Sequence, residues 1–486
     1  MLFNSFAFAV FFPVVAIGYF VIPARVQTLW LLLASCYFYM SFVPSYVLIL
    51  FAIIVLDFTL APFIEKAGGK RRTAMLSISV AANLGILFVF KYFNFFNENV
   101  ARLAELLRWN YSPHLLQIVL PLGLSFHVFQ SLSYVIEVYK GRYRAERDFL
   151  TYALYVMFFP QLVAGPIERP GHLLPQLHLS HSFDADKARR GLERMLWGFF
   201  KKLVIADNVA NVVNRVYSDL HGAGEPALIL LVVLFAYQLY CDFSGYSDIA
   251  VGAALFLGCE LTENFNRPYA ARSIGEFWRR WHMSLSNWLR DYLYYPLALG
   301  TGKTTPLRLY ASLFMTFTLI GLWHGAAWTY VVMGALFGMY LVIGQVTASF
   351  RRRFNERIGL TRMPRLHHAL QVIITLALVA VWWIFFRAES IPDAWFILSH
   401  SLSGLSSLVS YNDVRNSLLA VGATKARLAL IVLSIAVMEL AQYFSAQGYT
   451  LSRVSRAYRW GFHCALCTAI MWFGFFGEQP FIYFKF

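Results

Sequence analysis

Two histidines stand where an imidazole is hard to place by accident. His324, in Gly321-Leu322-Trp323-His324-Gly325-Ala326-Ala327-Trp328, closes the apolar run Leu309 to Leu322, which has no charged residue. That run rises about 21 Å as a helix. If it starts at one face of a hydrocarbon core roughly 30 Å thick, His324 lies past the middle. An ionisable group at that depth is costly and points to function. His282 lies in the densest polar-aromatic stretch, Phe277-Trp278-Arg279-Arg280-Trp281-His282-Met283-Ser284-Leu285-Ser286-Asn287-Trp288-Leu289-Arg290-Asp291-Tyr292. Read as one helix, this stretch puts Arg279, His282, Ser286 and Leu289 on one face. An interfacial belt explains its Trp and Arg residues but does not specifically explain a His. With a pKa near 6.5, an imidazole suits proton transfer to and from a hydroxyl. A third stretch, Tyr240-Cys241-Asp242-Phe243-Ser244-Gly245-Tyr246-Ser247-Asp248, interrupts an apolar run with two carboxylates and two hydroxyls. Ser244, His324 and Asp242 can be drawn as a triad, but no G-x-S-x-G elbow supports it. Polar contacts tying a core together are the simpler reading. The candidate catalytic residues are therefore His324 and His282. The candidate substrate-binding set is Trp323, Arg279, Arg280, Trp281, Asp242, Ser244 and Asn287. No H-E-x-x-H, P-loop or G-x-G-x-x-G occurs, so neither a metal nor a bound cofactor is expected.

The elements that must hold these residues are apolar helices. Of 486 residues, 59% are hydrophobic and 14% charged, against about 25% charged in a soluble domain. Apolar runs recur from residue 3 to residue 476, near 3–22, 27–43, 45–64, 73–94, 115–139, 149–164, 192–213, 227–258, 307–323, 327–347, 368–387, 427–447 and 459–476. The segment 115–139 contains Pro121, His127, Gln130 and Glu137, and 192–213 contains Lys201, Lys202 and Asp207, so neither is a simple span. The expected fold is an all-α polytopic integral membrane protein, with about eleven transmembrane helices plus re-entrant and interfacial helices. One membrane-embedded domain, 1–486, is the simplest organisation. The polar, aromatic, basic section 259–306 is either a loop or a membrane-buried platform. The first run lacks a basic n-region and a small-residue cleavage site, so it reads as a retained span.

The net charge is +15. In a soluble chain that would suggest nucleic acid. Here the basic residues cluster in short loops between apolar runs, at 66–72, 140–147 and 351–365, as the positive-inside rule requires of a protein whose partner is a lipid bilayer. Those loops are placed in the cytoplasm and the N-terminus outside, and no nucleic-acid partner is expected. Cys464 and Cys467 form a C-x-x-C pair with no second pair at zinc spacing, and the five cysteines read as packed thiols.

Around His282 and His324 the chain resembles the membrane-bound O-acyltransferase (MBOAT) superfamily, in the bacterial branch that contains the alginate O-acetyltransferase membrane subunit. The resemblance runs through Met1-Leu2-Phe3-Asn4-Ser5, Phe90-Lys91-Tyr92-Phe93-Asn94-Phe95-Phe96, Pro121-Leu122-Gly123-Leu124-Ser125-Phe126, and Gln161-Leu162-Val163-Ala164-Gly165-Pro166-Ile167. It continues through Asp242 to Asp248, Glu263-Asn264-Phe265, the Trp-Arg-Arg-Trp-His run, Leu322-Trp323-His324-Gly325 and Phe481-Ile482-Tyr483-Phe484-Lys485-Phe486. It is the order and number of these pieces that make the match specific. The chain departs at Lys485, where such relatives usually carry Gln. The resemblance implies that His324 is the family's catalytic His and His282 its second invariant His. It further implies a cytoplasmic acyl donor, acetyl-CoA, an extracytoplasmic polysaccharide acceptor, a periplasmic partner of the SGNH hydrolase type, and a place in the bacterial inner membrane. The residues alone leave open a transporter of polysaccharide or lipid-linked substrate, a scaffold that recruits a soluble transferase, and a D-alanyl or longer-acyl transferase. Turnover of an acetyl thioester by the purified protein separates the enzyme from the first two.

Overall fold

Without water to satisfy backbone amides, an apolar chain buries them in helices, and every regular element among the described residues is helical. The computed structural model describes all residues except 163, 164, 301, 405, 408, 409, 449–454, 478 and 486, together with the backbone but not the side chains of 484 and 485. The Val163-Ala164 step, the Lys485 side chain and Phe486 therefore lie outside the described residues.

Seven helices among the described residues are long and apolar enough to cross a membrane: Pro44–Lys66, Gly69–Leu106, Glu225–Phe256, Pro306–His324, Trp328–Val346, Pro364–Arg387 and Lys425–Ala446. The chain is a multi-pass membrane protein. The remaining expected spans are shorter or interrupted. Phe6–Val21 and Ala24–Met40 have 16 and 17 residues. The segment 115–139 is broken: its helix, Leu124–Tyr139, starts only after Gly123, whose φ of 73° is left-handed. A Cβ at Gly123 would lie 2.6 Å from the Leu162 carbonyl oxygen, so this turn needs glycine twice over. The segment 149–164 splits at Phe158 into Phe149–Met157 and Phe159–Leu162, beside Pro160, which has no amide to continue the helix. The segment 192–213 is helical throughout but contains a π-helical stretch, Phe200–Ala206.

The chain divides into two compact units. The first comprises 1–195 and 249–263. Its helices are tied by Asp57, fully buried, which accepts hydrogen bonds from Ser79 (2.5 Å), Asn83 (2.9 Å) and Ser131 (2.6 Å). A buried carboxylate needs such donors. Glu168, also fully buried, accepts from the Thr262 amide at 2.6 Å and from His172 Nδ1 at 2.7 Å.

The second unit comprises 196–248 and 264–486 and holds both candidate histidines. The long apolar helices differ clearly in burial. Only 17% of the most apolar stretch of Lys425–Ala446 is buried, against 67% for Glu225–Phe256, so the first exposes its apolar surface to hydrocarbon and the second is packed among its neighbours. The hairpin that carries His324 has local causes. Thr305 caps Pro306–His324 by accepting from the Arg308 amide at 3.2 Å, with Pro306 at the first position. Gly325 ends the helix in extended conformation. The return helix, Trp328–Val346, packs on it through Gly334, where a Cβ would lie 2.9 Å from Thr318 Cα and closer still to the Phe317 carbonyl.

Two outcomes follow for stability. Gly334→Ala should force the hairpin apart and lower the thermal midpoint in detergent, at a cost of about 1–3 kcal/mol. The hydrogen bond that His172 donates to Glu168 raises its pKa above the ordinary 6.5. A raised folded-state value adds stability that is complete below the unfolded value and is lost as pH rises through the folded one. The midpoint should therefore fall across that interval, and His172→Gln should flatten the dependence.

Candidate active site

The site is built at a helix end and a helix break. His324 is the last residue of Pro306–His324 and is buried. His282 is fully buried and does not lie inside a helix as the spacing suggests. The stretch 277–292 breaks after Ile274–Trp278 and restarts as Met283–Leu289, with His282 between them at φ 42°, ψ 56°. The single-helix reading of this stretch is thus corrected: helical periodicity is present, but the chain leaves it at the histidine. Left-handed backbone is costly for a residue with a Cβ and is found where the surroundings enforce it, often at functional sites.

Asn264 enforces it here. Its backbone carbonyl accepts from the Met283 amide at 2.9 Å, and its side-chain Oδ1 accepts from Ser284 at 2.6 Å and lies 3.3 Å from His282 Nδ1. Because Oδ1 can only accept, Nδ1 carries the proton and Nε2 is the basic nitrogen. Asn264 is itself held by a bond from its Nδ2 to Ser247, at 3.3 Å.

Five rings, the two imidazoles among them, form a closed circuit. His282 packs on Phe243 (centroids 4.7 Å), Phe243 on Tyr483 (4.8 Å), Tyr483 on His324 (5.6 Å), His324 on Trp323 (5.0 Å) and Trp323 back on His282 (6.4 Å). Phe386 adds a wall, 5.6 Å from His324. Trp281 backs the site from within the platform, packed on Phe265 (5.0 Å) and Trp383 (4.9 Å). The section 259–306 is thus a buried platform at this point. A basic nitrogen in an aromatic enclosure can take a proton from a hydroxyl while bulk water is kept from a reactive acyl group.

A cluster of buried charges lies in the same unit. The widened turn Phe200–Ala206 turns Lys201 and Lys202 inward, 3% and 1% exposed. Lys202 Nζ lies 2.8 Å from Asp207 and 2.7 Å from Asp242. Lys201 pairs with Asp248 and donates to Ser244 Oγ at 3.1 Å. Asp242 and Ser244 are therefore spent on lysines rather than on His324, which agrees with polar contacts tying the core together. Gly245 permits this approach, because a Cβ there would come within 2.9 Å of the Gly198 carbonyl oxygen.

Of the other candidates, Trp323 lies between the two imidazoles. Arg279 and Asn287 are exposed. Arg280 pairs with Glu276 at 2.7 Å. Sequence reasoning missed Asn264, Phe243 and Tyr483 as site neighbours. It met Lys201, Lys202 and Asp207 only as marks of amphipathicity, although three ionisable residues in one apolar segment were the available signal.

Asn264→Ala removes the partner of both His282 and Ser284. It should cost about 1–3 kcal/mol, read as a lower thermal midpoint in detergent.

The membrane-bound O-acyltransferase family model matches residues 144–386. A relative from Pseudomonas aeruginosa named "Probable alginate O-acetylase AlgI" is 37% identical over 452 residues, covering 92% of this chain and 82% of its own length. A peptidoglycan O-acetyltransferase from Helicobacter pylori is 34% identical over 442 residues, covering 84% of this chain and 81% of its own length. A teichoic acid D-alanyltransferase from Bacillus subtilis is 27% identical over 291 residues, covering 58% of this chain and 71% of its own length. With a matched domain that contains both candidate histidines, and with relatives of this identity along nearly the whole sequence, the chain belongs to the membrane-bound O-acyltransferase family and is an O-acyltransferase.

Proposed function

We propose that this enzyme O-acetylates an exported polysaccharide from within the bacterial inner membrane, using acetyl-CoA on the cytoplasmic side as donor. The observation that carries the reading is the ring circuit that holds two buried imidazoles beside Trp323 at the end of a membrane-spanning helix. In this reading His324 is the general base and His282 positions the donor or polarises the thioester carbonyl. The acetyl carbon leaves the thiol and joins a hydroxyl oxygen; the hydroxyl proton passes to His324 and on to the departing thiolate. The basic segment 351–365 would attract the donor's phosphates to the cytoplasmic face. Helix Trp328–Val346 leads into that segment and His324 ends the other arm of the hairpin, so in this reading His324 faces the acceptor's side. A periplasmic partner of the SGNH type would complete transfer to the polymer. The greater identity and coverage of the O-acetyltransferase relatives favour acetyl over D-alanyl as the group moved.

The test is acetylation of the polymer in cells that carry His324→Ala at normal protein level. Loss of the base should reduce transfer by about a hundredfold or more. Wild-type transfer would remove His324 from the role.

A further inference from the structure

The buried charge cluster reaches beyond the helices that form it. Asp242 uses one oxygen on Lys202 and the other on the backbone amide of Ile482, at 2.7 Å. Lys202, already between two carboxylates, donates as well to the carbonyl of Gln479 at 3.3 Å. Two more backbone tethers converge on the same turn: the Phe475 amide donates to the Leu203 carbonyl at 3.0 Å, and Asn208 Nδ2 donates to the Phe473 carbonyl at 2.8 Å. All four bonds grip main chain, so they fix the backbone at 473, 475, 479 and 482 whatever side chains it carries. The next residue is Tyr483, whose ring closes the circuit between Phe243 and His324. Phe243, in turn, is the neighbour of Asp242 in sequence.

We propose that Lys202 and Asp242 are positioning residues, which hold segment 479–483 by its backbone and so seat the Tyr483 ring on His324. The inference rests on the reading of His324 as the base, but the tether itself can be tested without catalysis. A purely structural cluster would predict something different: breaking either lysine–carboxylate pair would loosen the unit alike. The Lys201–Asp248 pair is the natural control, since it sits on the same two elements while the Ile482 amide and the Gln479 carbonyl are taken up by Asp242 and Lys202.

The experiment uses the full chain in membranes with Cys36, Cys241, Cys259, Cys464 and Cys467 replaced, and Tyr483→Cys as the single thiol. The rate of maleimide labelling reads how often position 483 leaves its seat. Asp242→Leu removes the acceptor for the Ile482 amide. Ile482→Pro removes that amide and leaves Asp242 in place; where Asp242→Leu fails to accumulate, it decides the matter, with Ile482→Ala as the control for the lost side chain. Each should raise the labelling rate by about tenfold, as expected when one buried hydrogen bond stops holding the closed position. Asp248→Leu should leave it unchanged. No rise with Ile482→Pro, or an equal rise with Asp248→Leu, overturns the tether. With Tyr483 restored, Asp242→Leu should lower kcat for acetyl transfer and keep KM for the thioester; a change in KM alone overturns the positioning role. Retained transfer by His324→Ala would overturn the catalytic reading and leave the labelling result standing.

Discussion

An ammonium group with almost no exposure must be neutralised where it lies, and Lys202 is neutralised by two carboxylates at once. Removing two such charges from water costs several kcal/mol per ion, which close pairing and further hydrogen bonds have to repay. The arrangement therefore cannot be assembled piecemeal. The widened turn that brings two adjacent lysines inward, the glycine contact that lets the long helix approach, and the main chain that takes up the remaining donor and acceptor all depend on one another. The aromatic circuit that includes the histidines is attached to this cluster through Phe243 and Tyr483, so the two imidazoles inherit their surroundings from a charge outside the circuit.

The periodic parts of this architecture were readable in the sequence. The helix that ends at His324 lies within one residue at each end of the run its apolar residues predict, because a threonine cap, a proline and a glycine mark its limits. The interrupted segments were recognisable by the prolines and ionisable residues they contain. What a linear pattern could not convey is the break at His282. Helical spacing continues across it, and the cause is Asn264, whose hydrogen bonds come from outside the stretch. Tyr483 was likewise seen only as part of a resemblance, since its place beside His324 depends on contacts made across more than two hundred residues of chain.

The basic residues next to the site in sequence show the opposite limit. Arg279 and Arg280 belong to the same short run as Trp281 and His282, yet the break in the chain sends the tryptophan and histidine inward and leaves the arginines toward the surface or on Glu276. A single run of sequence therefore serves two environments. The buried half can exclude water from an acyl group, and the outer half keeps charge available to a polar headgroup or an approaching phosphate.

The left-handed backbone at position 282 also constrains how this site can vary. A substitution there changes two things at once, a ring and a preference for an unusual region of conformational space. Asparagine tolerates that region and glutamine does so far less readily, although glutamine would be the nearer match to the imidazole's reach. Drift at this position is thus channelled toward residues that satisfy the main chain before they satisfy the chemistry. A survey of variants that scores residues by side-chain likeness alone would misorder them here.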